Sequence, residues 1–166
     1  MQNAKSLENL QLSARSGQSL AGLHNILSLR SHTLKVLDLT VPLYDDSHHP
    51  PLALAGLYKE LEEMAGHNML EALLFKVDID GHETEDFIGC IMCNVEKALV
   101  RSGWSALRQV SFKISIACCL ELRENTAKLS EVLQSLPNKY LGHLSKLNSV
   151  VFNYSAYVVK CYSKSD

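Results

Sequence analysis

Two thiols three residues apart, Cys90 and Cys93, are the first candidates for chemistry in this chain. Redox use of a Cys-x-x-Cys pair needs a strand running into a helix N-terminus, where the thiol pKa falls. These two cysteines sit inside an apolar helical run instead, so they are expected to pack as small hydrophobes. A zinc site would need a second pair, and Cys118-Cys119 has the wrong spacing. Asp78-Ile79-Asp80-Gly81-His82-Glu83 is rich in oxygen ligands. Its glycine stands fourth, whereas a calcium loop needs it sixth. A strand-to-helix turn is the expected role, with Asp80 and Glu83 as a capping box. Asp45-Asp46-Ser47-His48-His49-Pro50-Pro51 reads as a polar loop leading into a proline-started helix. His24, His32, His67, His82 and His143 are scattered. No Ser or Cys lies in a nucleophile motif, and no glycine-rich phosphate loop occurs. The expectation is no catalytic residue, no metal and no cofactor, so not an enzyme.

Composition narrows the class further. Hydrophobic residues make up 46% and charged residues 20% of 166. That is ordinary for a soluble globular chain and long enough for one domain with a core. A net charge of −2 speaks against nucleic-acid binding, which needs a basic surface. No apolar run approaches the ~18 residues of a membrane span, and the residues after Met1 lack an apolar signal core. Five cysteines, an odd number, sit in apolar runs, which fits a reducing compartment. The expected setting is intracellular, cytoplasmic or nuclear, with no membrane partner.

Any functional residue must be held by the elements around it, and here one unit recurs. Units start at Leu7, Leu34, Leu70, Leu107 and Leu147. Each reads apolar, two spacers, apolar, one spacer, apolar. Continuing the alternation by two residues gives three columns. They are Leu10, Leu37, Leu73, Val110, Val150; then Leu12, Leu39, Phe75, Phe112, Phe152; then Ala14, Val41, Val77, Ile114, Tyr154. Period-two alternation marks a strand with one buried face. Helical spacing fills the intervals over 18–29, 52–65, 83–101 and 125–136. Lys59, Glu60, Glu62 and Glu63 supply a wet face for the second helix. Gly103 is the expected stop of the third, and Pro137 that of the fourth. A shorter turn is expected over 139–144, and residues 157–162 read as a further edge strand.

Strand–helix alternation implies crossover connections and a parallel sheet. The expected fold class is α/β: a leucine-rich-repeat-like curved solenoid. About five parallel strands line one face and helices the other, in a single domain over 1–166. The alternative is a doubly wound sheet, whose strands are covered on both faces and read as continuous apolar runs. The alternate positions here are mostly polar or small, which favours one wet sheet face.

The units resemble leucine-rich repeats, whose core reads L-x-x-L-x-L. Residues 61–157 resemble the irregular leucine-rich-repeat regions of fungal F-box-type proteins. They include Ala65-Gly66-His67-Asn68-Met69-Leu70-Glu71, Gly81-His82-Glu83-Thr84-Glu85-Asp86-Phe87-Ile88 and Gly103-Trp104-Ser105-Ala106-Leu107-Arg108-Gln109-Val110. That family expects Asn or Cys eight residues after the first Leu. This chain has Arg15, Pro42, Asp78, Ser115 and Ser155 there. The resemblance implies protein–protein recognition, including substrate recognition in an F-box-like system. No F-box segment precedes the repeats, so it also implies the repeat portion of a longer protein or a reduced relative.

A wet, strand-lined face would then meet a protein partner. Its central residues are Gln11, Asp38, Leu74, Ser111 and Val151, flanked by Asn9, Thr40, Lys76, Gln109 and Lys113. Leu74 and Val151 matter most, because apolar side chains on an open face suit a contact surface. A second reading is a structural or regulatory repeat fragment that self-associates through uncapped ends. A third is a small thiol enzyme using Cys90 and Cys93.

Overall fold

The computed structural model describes residues 7–14, 22–28, 32–44, 57–66, 69–80, 85–100, 103–119 and 126–161. Strands and helices alternate. Their order is β1 (Asn9–Ser13), α1 (Leu23–Ser28), β2 (Val36–Tyr44), α2 (Leu57–Met64), β3 (Ala72–Asp80), α3 (Glu85–Val100), β4 (Gln109–Cys119), α4 (Thr126–Tyr140) and β5 (Val151–Cys161). A short 3-10 turn, Leu144–Lys146, precedes β5.

All four strand pairings are parallel, and the sheet runs β1-β2-β3-β4-β5. A doubly wound sheet reverses its strand order at a switch point; this sheet does not. The helices follow the same succession, α1 against α2, α2 against α3 and α3 against α4. One sheet face is therefore buried under helices, while no described element covers the other.

The buried face is the one the alternation predicted. Leu37, Leu39 and Val41 of β2, Leu73, Phe75 and Val77 of β3, and Val110, Phe112 and Ile114 of β4 are all buried. Ile79 and Ile116 extend this pattern by a further, unpredicted column, because the inner strands run longer than the core motif. Phe75 and Phe112 lie with ring centroids 5.7 Å apart and tilted by 37°, an arrangement aromatic pairs favour. From the other side come Leu57, Leu61 and Met64 of α2, and Ile88, Ile91, Met92, Val95 and Leu99 of α3. Both sets are spaced at three to four residues, one face of a helix.

Entry into β2, β3 and β4 repeats one backbone device. The Glu8 carbonyl accepts the N–H groups of Lys35 and Val36. The Lys35 carbonyl accepts those of Glu71 and Ala72, and the Glu71 carbonyl those of Arg108 and Gln109. The side chains at these steps alternate in sign: Glu8, Lys35, Glu71, Arg108. Lys35 Nζ lies 3.5 Å from Glu8 Oε1, a pairing that sheet neighbours reward modestly when exposed.

The third and fourth units lock together through glycines. Gly66 and Gly103 both have positive φ, 82° and 130°, and the Gly66 N–H donates to the Gly103 carbonyl at 2.6 Å. A Cβ on Gly103 would lie 2.8 Å from the Gly66 nitrogen. Gly89 plays a similar part between α3 and α4, where a Cβ would come within 2.4 Å of the Tyr140 ring.

The last unit departs from the expected register. Phe152 pairs with Val110 and Tyr154 with Phe112, and Ala156 falls opposite Ile114. The predicted columns placed Val150, Phe152 and Tyr154 there, two residues earlier. The cause is the turn before the strand. Leu147 N–H donates to Leu144 and Val150 N–H to Leu147, which takes up two residues before β5 begins. A slip of two keeps every side chain on its predicted face. Residues 157–161 continue β5 and form no separate strand.

Helix α4 also runs past its predicted end, with Pro137 inside it. Proline has no N–H, so the Leu133 carbonyl four residues back loses its helical donor. The Tyr154 hydroxyl donates to that carbonyl at 2.6 Å. Burial pushes the Tyr154 phenol up from its ordinary pKa, so it remains a donor. The shifted register is what brings this tyrosine under α4. Other differences are smaller. The described part of the first helix is Leu23–Ser28, and the expected 139–144 turn appears as the end of α4 and the 3-10 turn. Of the expected capping box, Asp80 ends β3 and Glu83 lies outside the described residues.

Tyr154→Phe should cost about 1–3 kcal/mol, the penalty for an unsatisfied buried carbonyl. In a Pro137→Ala background the same change should cost less, because residue 137 then supplies an N–H to Leu133. Urea unfolding of the four proteins checks this. Equal costs in both backgrounds would refute the shared-carbonyl account.

Candidate functional site

The open sheet face carries all ten residues singled out in the sequence. The register assembles them in rows. The first row is Asn9, Val36, Ala72, Gln109, Val151. The second is Gln11, Asp38, Leu74, Ser111, Asn153. The third is Ser13, Thr40, Lys76, Lys113, Ser155. Val151 is the one residue out of its expected place. The slip in β5 sets it beside Gln109, and Asn153 stands next to Ser111 instead. Val151 is 63% exposed, and Tyr157 and Val159 further along β5 are also exposed.

Several of these side chains engage one another. Lys76 Nζ donates to Asp38 Oδ2 at 2.7 Å across the β2–β3 step. The Asp38 side chain is only 19% exposed, and its Oδ1 is buried without a hydrogen-bond partner among the described residues. Ser115 donates to Asp78, so two of the positions where the resembled family carries Asn or Cys are joined. Gln109 donates to Ser111 at 3.2 Å. Lys113 lies 5.2 Å above the Tyr157 ring, in reach of a cation–π contact. A shallow depression over β3, β4 and β5 is lined by Leu74, Lys76, Ser111, Lys113, Asn153 and Ser155. Its polar side chains can donate and accept hydrogen bonds beside the apolar Leu74.

On the helical side the fold builds a cluster that sequence spacing could not show. Glu60 of α2, expected on a wet face, is buried. Its Oε1 accepts the Gly22 N–H at 2.7 Å and its Oε2 accepts the His24 N–H at 2.9 Å. It thus caps the first turn of α1, a helix too short to be stable alone. Burial opposes its ionisation, yet the hydrogen bonds from His24 and Gly22 and the nearby imidazole hold its carboxyl below the ordinary range. His24 Nδ1 lies 2.7 Å from a Glu60 oxygen and 2.7 Å from a Glu63 oxygen. Glu60 lies 36 residues from His24, so no local motif announces the cluster. Glu96 of α3 plays a comparable role, accepting the N–H groups of His143 and Leu144 at 2.7 and 3.0 Å.

The thiol expectation needs correction. Cys90 is exposed and Cys93 half-buried, both as free thiols. Cys90 points away from the stripe of Ile88, Ile91, Met92 and Val95, so it does not pack as a core hydrophobe. Both cysteines lie within α3, which begins at Glu85, and not at its N-terminus. The histidine pair His48-His49 lies outside the described residues. Among the described residues no helix is long and apolar enough to cross a membrane. Comparison with protein-family models, with curated proteins and with solved structures gives no match.

Lys76→Met should destabilise the chain by about 1–2 kcal/mol, because it leaves the largely buried Asp38 carboxylate without its countercharge. Asp38→Asn combined with Lys76→Met should recover most of that loss. Chemical denaturation of the single and double variants measures both, and a double variant no better than the single would contradict the pairing.

Proposed function

We propose that this chain is a non-enzymatic protein-binding module built as a leucine-rich-repeat-like curved solenoid. The carrying observation is an all-parallel sheet with one face that no described element covers. Such sheets occur almost only with both faces covered, so an uncovered one offers a ready contact surface. Here that surface sets the apolar Leu74 and Val151 among Asp38, Lys76, Ser111 and Lys113. Apolar anchors ringed by polar groups are the usual anatomy of an interface. The resemblance to fungal F-box-type repeats extends the reading to substrate recognition in such a system, in an intracellular setting. The proposed partner is a protein, and neither a cofactor nor a nucleic acid is invoked.

A second reading is favoured by the length of β5. This strand has 11 residues without proline, and among the described residues nothing pairs with its outer edge. Long unpaired edges template further strands, so repeats of neighbouring copies would join there.

Leu74→Glu together with Val151→Glu should abolish capture of a partner from source lysate while leaving thermal unfolding within a few degrees of the parent. Lys76 is kept so that Asp38 stays neutralised. A partner retained in full by the folded double variant would rule out this face. Light scattering over a hundredfold concentration range addresses the second reading, since a monomer throughout would dismiss pairing at β5.

A further inference from the structure

The geometry points to a divalent transition-metal site of the zinc type, formed by His24, Glu60 and Glu63 where α1 meets α2. Their ligand atoms all lie within 4.8 Å of one another. This site is independent of the sheet face and of the partner proposed for it.

Three features argue for a cation. First, the imidazole cannot serve both carboxylates. One ring nitrogen faces two carboxylate oxygens, each at 2.7 Å, and it can carry only one proton. Two carboxylates with a neutral imidazole carry a formal charge of −2, offset in part by Lys59, whose Nζ lies 3.8 Å from Glu63 Oε1, so a further cation is favoured there. Second, the ligands are held in advance. The backbone N–H groups of Gly22 and His24 fix both oxygens of buried Glu60, the kind of outer support that orients metal carboxylates. Third, the set has room to adjust. Zinc bonds nitrogen and oxygen at about 2.0–2.2 Å, which sets tetrahedral ligand atoms roughly 3.3–3.6 Å apart, so the two 2.7 Å pairs must open by under ~1 Å. Glu63, with a side chain 37% exposed, can move by that much.

Imidazole selects zinc-like ions over calcium or magnesium, which take oxygen ligands. Three protein ligands and a water complete a tetrahedron. Glu60 and Glu63 stand one helical turn apart on α2, and His24 belongs to the preceding unit. The ion therefore clamps α1 onto α2.

The test uses the full chain, stripped with chelator and then titrated with Zn²⁺. Binding should be one to one. At a hundredfold excess over Kd the thermal midpoint should rise by roughly 5 °C. Glu63→Gln, which leaves the Glu60 cap in place, should remove the rise, and His24→Ala should do the same. Cys90→Ser with Cys93→Ser, and His48→Ala with His49→Ala, should keep it. Co²⁺ in place of Zn²⁺ should give visible bands without a thiolate charge-transfer band. An absent rise in the parent, a rise that survives Glu63→Gln, or a thiolate band would each overturn the assignment.

Discussion

The whole structure rests on strands that cannot bury their apolar face alone. A five- to eleven-residue strand offers two to five inward side chains, too few to offset the entropy of ordering it. Only in register beside its neighbours does each strand gain a core. Leu37, Leu73 and Val110 are each fully buried because a strand lies on either side and helices lie beneath. The leading leucines report the same dependence. Leu34, Leu70 and Leu107 are buried, whereas Leu7, on the edge unit, is 39% exposed. Burial here is a property of position in the array more than of residue type.

Register is enforced at two levels. Backbone carbonyls of Glu8, Lys35 and Glu71 each gather two N–H groups from the next unit, so β2, β3 and β4 each start level with the strand before. Side-chain columns then reward that level start, with Phe75 against Phe112 at the centre. The last unit keeps the face but shifts along it. There an extra turn is compensated by Tyr154, which occupies the aromatic column and at the same time satisfies the carbonyl stranded by Pro137. One hydroxyl thus couples a helix-breaking residue to the position of the edge strand.

The helices on the back are joined by carboxylates as well as by apolar packing. Glu60 and Glu96 reach out of α2 and α3 to hold backbone N–H groups of other segments. A charge buried for that purpose is costly unless its hydrogen bonds are complete. Glu60 meets that condition with two backbone donors and an imidazole. The open sheet face follows the same logic less completely, since Asp38 relies chiefly on Lys76.

The α/β alternation, the parallel sheet and the identity of its buried face were legible in the sequence. A period of two over Leu37 to Val41 or Leu73 to Val77 reflects strand geometry directly, and parallel pairing follows from the helices between. All ten face residues were legible for the same reason, because parity alone decides which side of a sheet a residue takes. What parity cannot decide is displacement along the strand. The two-residue slip of β5 and the place of Val151 beside Gln109 follow from the turn before the strand, and the Tyr154–Leu133 contact that this slip creates accommodates Pro137 inside α4; the strand alternation encodes neither. The burial of Glu60 and its meeting with His24 and Glu63 belong to the same class. A glutamate on a helix reads as solvent-facing until another segment brings backbone donors to it, and only the packing of α1 on α2 does that.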